Sequence, residues 1–169
     1  MQPTHCTSDM YWAQARVGSK RIRGAYAWRS LLDDGNNIAS GSDFPVENPN
    51  PLYGFYAAIT RQDKDGIPKN VNDVKKYFQG VEKEKLDSAD FTHGWYSKQK
   101  MTREETLRSF TIWGAFAEFA EKEKGSIEKG KLADIVMLSE NIMEIPEQQI
   151  LFTQILMTIV DGKIVYEQK

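Results

Sequence analysis

The chain has 169 residues, of which 40% are hydrophobic and 27% are charged, a composition typical of a folded globular domain rather than a disordered segment. Its net charge of −2 comes from 22 basic and 24 acidic residues and gives no reason to expect nucleic acid or an anionic membrane as a partner. No apolar run approaches the roughly 20 residues that span a bilayer. The single cysteine, Cys6, excludes a disulfide within the chain and suits a reducing environment. We therefore expect a cytoplasmic chain.

Local patterns in the first part of the chain predict an α/β organisation. The first ten residues suit a strand end that runs into a loop, and residues 20–32 place apolar side chains on one face of a helix. Gly35 suits the left-handed position that closes a helix. Residues 37–41 are short and apolar enough to form a buried strand. In such α/β units, ligands bind at the carboxyl end of the strand.

The middle of the chain is more irregular. Residues 52–60 predict a short helix, and residues 62–99 form a polar excursion with one short helix near 71–80. Charges of alternating sign at 83–85 indicate a solvated surface.

A further helix is predicted by Thr102 and Glu105, which have the spacing of a capping box. Its apolar positions recur at helical spacing until the helix ends near Gly125.

From about residue 126 the pattern changes to β-structure. Strands are predicted for 132–138 and 156–160, and the dipeptide Asp161-Gly162 separates the second from a further β-rich run. Asp-Gly between two such runs is a specific signal for a hairpin.

Asp43 is the strongest candidate for chemistry, because it directly follows the predicted strand at 37–41. At a strand tip its carboxylate would be a metal ligand and a proton acceptor, whereas in a local turn it would have a structural role. The sequence alone leaves both interpretations open.

His5 could bind zinc or hold a substrate carbonyl, or it could be an ordinary loop histidine. His93 is predicted to be a loop histidine. With Cys6 and Asp43 these residues form no recognised zinc motif, so we do not expect a self-contained zinc site.

Three segments of the sequence resemble amidohydrolase family 3 of the amidohydrolase superfamily, and the likeness is weakest between residues 62 and 99. They are Gln2-Pro3-Thr4-His5; Ile38-Ala39-Ser40-Gly41-Ser42-Asp43-Phe44-Pro45-Val46-Glu47; and Gly125-Ser126-Ile127-Glu128-Lys129-Gly130-Lys131-Leu132-Ala133-Asp134-Ile135-Val136 with Val160-Asp161-Gly162-Lys163-Ile164-Val165-Tyr166.

The resemblance implies an α/β fold: the C-terminal part of a (β/α)8 TIM-type barrel, with the last two βα units in residues 1–125, and part of a small composite β-sandwich in 126–169. Asp43 would end the last barrel strand, bind a divalent metal, which we expect to be zinc, and take a proton from the attacking water. His5 would end the preceding strand and contact the substrate. The substrate would be a small amide-type molecule whose non-peptide C–N bond is hydrolysed by a metal-activated water.

The other metal ligands of the family belong to strands that precede the part resembled here. We therefore expect this chain, as a fragment, to retain no metal and to have little or no activity alone, and its exposed sheet edges to permit self-association. Two alternatives stay open. One is a non-catalytic interaction or dimerisation module, and the other is a subunit completed in trans by a chain that carries the histidines.

Overall fold

A computed structural model describes residues 1–82 and 85–169, in which helices precede a small sheet. None of the helices in these two ranges has the length and apolar character of a bilayer-spanning segment. The predicted charge alternation at 83–85 falls on Lys83 and Glu84, which lie outside the described residues. The α-helices are α1 (Pro3–Asp9), α2 (Ala13–Arg21), α3 (Trp28–Asp33), α4 (Pro51–Thr60), α5 (Val71–Tyr77), α6 (Arg103–Ser109) and α7 (Ile112–Ala117).

Helix α4 is the element around which much of the chain is packed. Two features favour the start of this helix. Proline occupies its first position, and the Asn50 side chain accepts a hydrogen bond from the Leu52 N–H at 3.0 Å. The helix is buried over most of its length and packs against α1, α6 and a 3₁₀ turn at Glu147–Phe152. The helices predicted at 52–60 and near 71–80 are thus confirmed as α4 and α5.

Two apolar clusters hold the chain together. The larger contains Trp28 and Trp95, which are 2% and 0% exposed. The smaller joins α4, through Phe55, to the tail, through Ile142 and Ile150. Burial of such side chains contributes about 1.5–3 kcal/mol each, so α4 attaches the tail to the helical part of the chain.

The tail forms a three-stranded antiparallel sheet in the order β1 (Ile135–Leu138), β2 (Ile155–Val160) and β3 (Lys163–Glu167). Asp161 and Gly162 both have positive φ, 50° and 73°, as a two-residue hairpin turn requires. The predicted hairpin and the change to β-structure after residue 126 are confirmed.

The prediction of a strand end in the first ten residues is wrong, because α1 occupies Pro3–Asp9. Pro3 lies in the first turn, where its fixed φ suits a helix and its missing N–H costs nothing. The Thr7 hydroxyl donates a hydrogen bond to the Thr4 carbonyl at 3.0 Å. His5 therefore projects from the first turn of a helix.

The continuous helix predicted over 20–32 is also wrong, because the chain breaks between α2 and α3. Tyr26 has a left-handed φ of 52°, and its carbonyl accepts a hydrogen bond from Arg61 Nη1 at 2.9 Å. In the continuous helix that periodicity predicts, this carbonyl would accept the N–H four residues further along the chain. Here it accepts a hydrogen bond from Arg61 instead.

The predicted capping box of Thr102 and Glu105 is confirmed, but α6 ends at Ser109 instead of continuing toward Gly125. The carbonyl of Ser109 accepts the backbone N–H of Ser40 at 2.9 Å. A short second helix, α7, follows the break.

The strand predicted at 37–41 is extended but is not part of a sheet in the described structure. Besides the bond from Ser40 to α6, the Gly41 N–H donates to the Met1 carbonyl at 2.9 Å. A strand needs a ladder with a neighbouring strand, and these contacts lead instead to the start of the chain and to a helix end.

Candidate functional site

The two predicted site residues lie side by side. His5 Nε2 and Asp43 Oδ2 are 4.0 Å apart, although 38 positions separate the residues in the sequence. The His5 side chain is 23% exposed and the Asp43 side chain 57% exposed. The separation is too long for a hydrogen bond, but it places a buried imidazole nitrogen beside an exposed carboxylate.

Asp43 lies in a turn rather than at the tip of a hydrogen-bonded strand. Its φ is 57°, a region that aspartate tolerates better than most residues, and its carbonyl accepts the Val46 N–H at 2.9 Å. The turn is therefore closed by the backbone carbonyl of Asp43. Among the described residues its carboxylate has no hydrogen-bond partner and remains available to a ligand.

His5 has a free nitrogen as well. Its Nε2 is buried and has no hydrogen-bond partner within 1–82 and 85–169, and the same holds for the Thr4 hydroxyl beside it. Unpaired buried polar atoms are uncommon and costly in folded proteins. The unpaired His5 Nε2 lies 4.0 Å from Asp43 Oδ2 and favours a site that receives a polar group from a ligand or from another segment.

Contacts at the start of the chain bring His5 and Asp43 together. The N-terminal ammonium of Met1 donates a hydrogen bond to the Ala39 carbonyl, and the Met1 carbonyl accepts the Gly41 N–H at 2.9 Å. Residues 39–41 are therefore bonded to Met1, which lies just before α1, the helix that carries His5. The same residues lead directly into the turn that carries Asp43. No sequence motif signals these backbone bonds.

The other two residues of metal-binding type do not join this pair. Cys6 is 0% exposed, and burial raises the pKa of its thiol to about 11. His93 is exposed in a loop, as predicted, and its backbone N–H donates to the Lys69 carbonyl at 2.9 Å. Within the part of the chain that the structure describes, no group of three His, Cys, Asp or Glu side chains could hold a metal ion.

Three clefts in the described structure lie elsewhere. One surrounds Gly18, one lies between α3 and α6 near Trp113, and a polar one borders Asp90. None of the three is lined by His5 or Asp43.

The sequence matches the amidohydrolase family over residues 1–166, which is nearly the whole chain. The chain therefore belongs to the amidohydrolase family, and the resemblance to its family 3 is confirmed.

Curated relatives are similar over most of the chain. It is 28% identical to the putative amidohydrolase YtcJ of Bacillus subtilis, over 99% of this chain and 27% of that protein. It is 29% identical to the protein LONG AFTER FAR-RED 3 of Arabidopsis thaliana, over 98% and 24%. It is 27% identical to the N-substituted formamide deformylase of Arthrobacter pascens, over 83% and 21%. The chain thus spans about a quarter of the length of these relatives.

Solved structures show the same fold. An uncharacterized metal-dependent hydrolase from Pyrococcus horikoshii superimposes with a TM-score of 0.63 at 22% identity, over 87% of this chain and 25% of that one. A second such hydrolase, from Pyrococcus furiosus, gives 0.51 at 23% identity, over 77% and 20%. The fold of this chain therefore matches part of the fold of each of these two proteins.

Proposed function

We propose that these residues form one side of the active site of a metal-dependent hydrolase that cleaves the C–N bond of a small amide-type molecule. The observation that carries the proposal is the 4.0 Å approach of His5 Nε2 to Asp43 Oδ2, with neither group hydrogen-bonded among the described residues. Membership of the amidohydrolase family supports the reaction class. The similarity to an N-substituted formamide deformylase supports formamides and other N-acyl compounds as substrates to test first.

Asp43 acts as the general base in this proposal. Its carboxylate accepts a proton from the attacking water while the water oxygen bonds to the carbonyl carbon of the substrate. The proton then passes to the departing nitrogen as the C–N bond breaks, and the products are a carboxylic acid and an amine. The exposed carboxylate, which has no hydrogen-bond partner within the described structure, is free to accept this proton.

His5 binds the substrate in this proposal. Its Nε2 points toward the Asp43 carboxylate across 4.0 Å, so a carbonyl oxygen placed beside Asp43 would lie within reach of the imidazole. A protonated Nε2 donates a hydrogen bond to such an oxygen and stabilises the negative charge that develops on it.

A divalent metal, zinc in our proposal, supplies a water whose pKa is lowered to about 7. The Asp43 carboxylate fits as one oxygen ligand, but a zinc site needs about three protein ligands, and the described residues offer no such group. We therefore propose that residues 1–125 are the C-terminal part of a barrel, that 126–169 are part of a composite β-sandwich, and that the remaining ligands lie outside this stretch. By itself the chain would hold the metal weakly and hydrolyse little, in a cytoplasmic setting.

The proposal is tested by turnover of N-acyl and formamide substrates, with zinc present, in the natural full-length chain that contains these residues. Asp43→Asn should lower kcat at least about a hundredfold because the base is lost, and His5→Asn should raise KM or lower kcat. His93→Asn is the matched control, since His93 is exposed in a loop and does not join the His5–Asp43 pair, and it should retain activity. Full activity of Asp43→Asn would refute the proposed role.

An interaction module is the second candidate, and one observation favours it. Strand β3 is exposed at every position, with Ile164, Val165 and Tyr166 between 49% and 61% exposed. Concentration-dependent self-association in sedimentation, without metal binding, would support this alternative. Activity that appears only after a second chain with the histidine ligands is added would instead support completion in trans.

A further inference from the structure

A chain of hydroxyl hydrogen bonds connects the segment before Asp43 to helix α6. The Ser40 Oγ donates to the Ser109 Oγ at 2.8 Å, and the Ser109 Oγ in turn donates to the Thr106 carbonyl at 2.7 Å. The backbone N–H of Ser40 also donates to the Ser109 carbonyl at 2.9 Å. Ser109 and Thr106 are both 0% exposed, so water does not compete for these bonds.

Met1 also holds the segment that precedes Asp43. Its N-terminal ammonium donates to the Ala39 carbonyl, and its carbonyl accepts the Gly41 N–H. Asp43 follows two residues after Gly41, and its own turn is closed by the Val46 N–H at 2.9 Å. Within the described residues, the bond from Ser40 Oγ to Ser109 Oγ is the only side-chain hydrogen bond between residues 38–43 and another element. Substitution can therefore remove it without touching the backbone.

Helix α6 is a rigid support for this bond. Its N-terminus is closed by a full capping box between Thr102 and Glu105. The Glu105 carboxylate also forms a two-point ion pair with Arg29, which includes a contact at 2.8 Å from Nη1. Charge-assisted, bidentate pairs of this kind restrict orientation strongly. A helix held at its first turn thus presents Ser109, at its last position, to the loop that carries Asp43.

We infer that Ser109 is a positioning residue for Asp43 and that it acts through Ser40. The Ser109 hydroxyl accepts one hydrogen bond and donates another, which fixes the direction of both. Loss of either hydroxyl removes one of the two bonds between Ser40 and Ser109 and leaves only the backbone bond to hold the segment to α6, three residues before the carboxylate. This inference rests on the proposed function for its catalytic consequence, but its structural part can be measured independently.

Amide hydrogen exchange in the natural full-length chain provides the structural test. Ser109→Ala should speed the exchange of the Gly41 and Val46 amide hydrogens about three- to tenfold, the effect of losing one buried hydrogen bond. Ser40→Ala should have the same effect, and the double variant should add little because both changes remove the bond between Ser40 Oγ and Ser109 Oγ. Ser40→Thr keeps a hydroxyl and should restore slow exchange.

Thr153→Val is the matched control, because it removes a buried hydroxyl from the tail and should leave exchange at Gly41 and Val46 unchanged. If Ser109→Ala does not fold, the half-buried Ser40 gives a milder variant for the same measurement. Unchanged exchange at both amides in a folded variant that lacks either hydroxyl overturns the inference.

Turnover provides the second test. Ser109→Ala should lower kcat about tenfold with little change in KM, since a displaced base slows the chemical step more than it weakens binding. Faster exchange with unchanged kcat would contradict the positioning role. A wild-type chain without hydrolytic activity would refute the proposed function instead, and the exchange rates would still decide whether Ser109 orders the Asp43 loop.

Discussion

The guanidinium carbon of Arg61 lies 4.6 Å from the ring centroid of Trp28 and 5.3 Å from that of Trp95. Arg61 is 0% exposed, and burial lowers the pKa of its guanidinium. Its nitrogens donate to the carbonyls of Trp95 and Tyr26, while the Tyr26 hydroxyl donates to the Asp9 carboxylate at the end of α1. The buried cation thus connects α4 to the helix that carries His5.

Removal of the Arg61 side chain should strongly destabilise the chain. Arg61→Ala removes the donor from the buried Trp95 carbonyl and opens a cavity between two indole rings, at a cost of about 3 kcal/mol or more in the free energy of unfolding. Arg61→Lys keeps the charge but cannot reproduce the planar, branched contacts, and should cost less than the alanine change. Urea unfolding measures both. Arg16→Ala is the control, because Arg16 is exposed. An equal loss of unfolding free energy in all three variants would contradict the structural role of Arg61.

Gly94 should not tolerate a side chain. A Cβ at this position would lie 2.2 Å from the Thr60 carbonyl oxygen, at a φ of 148°. Gly94→Ala should therefore lower the free energy of unfolding by about 3 kcal/mol. Gly24→Ala meets no atom within 4 Å and should change it by no more than about 0.5 kcal/mol. Comparable stability of the two variants in urea would show that the approach of Gly94 to Thr60 is not tight.

The Arg29–Glu105 pair should make stability depend on acid pH. The hydrogen bonds from Arg29 lower the pKa of Glu105 from 4.5 to about 2 in the folded chain. A carboxyl with a depressed folded pKa stabilises the fold above its unfolded pKa, and that stability is lost as the pH falls from about 4.5 to about 2.

Glu105→Gln keeps the hydrogen bonds of the capping box but removes the charge. It should lower the free energy of unfolding at pH 7 by about 1–3 kcal/mol and should flatten the decline between pH 4.5 and pH 2. Glu104→Gln, which removes an exposed pair with Arg108, should cost no more than about 0.5 kcal/mol. Parallel pH profiles for wild type and Glu105→Gln would contradict the assignment.

Cys6 should be chemically silent in the folded chain. Burial is the main cause that raises the pKa of its thiol from 9.0 to about 11, and the Arg61 charge opposes this only in part. At pH 8 the thiolate is then about a hundredfold scarcer than for an unperturbed thiol, and the side chain is 0% exposed. A thiol reagent should react rapidly in urea and very slowly in buffer. Equal rates would show that the α1 region is not packed as described.

The sequence predicted those elements whose signals are local. The capping box of Thr102 and Glu105, helix α4 and the turn at Asp161-Gly162 each depend on residues within a few positions of one another. The side-by-side placement of His5 and Asp43 was not visible in local patterns and came only from the family resemblance, which implied that the two residues share one site.

The predictions that failed were decided by distant partners. The break at Tyr26 follows from the hydrogen bond that Arg61 donates to its carbonyl. The early end of α6 follows from the bond between Ser40 and the Ser109 carbonyl. Hydrophobic periodicity contains no information about such long-range bonds, so a helix was predicted to continue where a tertiary contact ends it.

The most direct test of the proposed metal ligand Asp43 is the zinc content of the purified full-length chain, measured by elemental analysis after dialysis. Wild type and His93→Asn should retain tightly bound metal, whereas Asp43→Asn should lose most of it while remaining folded. Equal metal retention by Asp43→Asn and wild type would contradict the assignment of this carboxylate as a ligand.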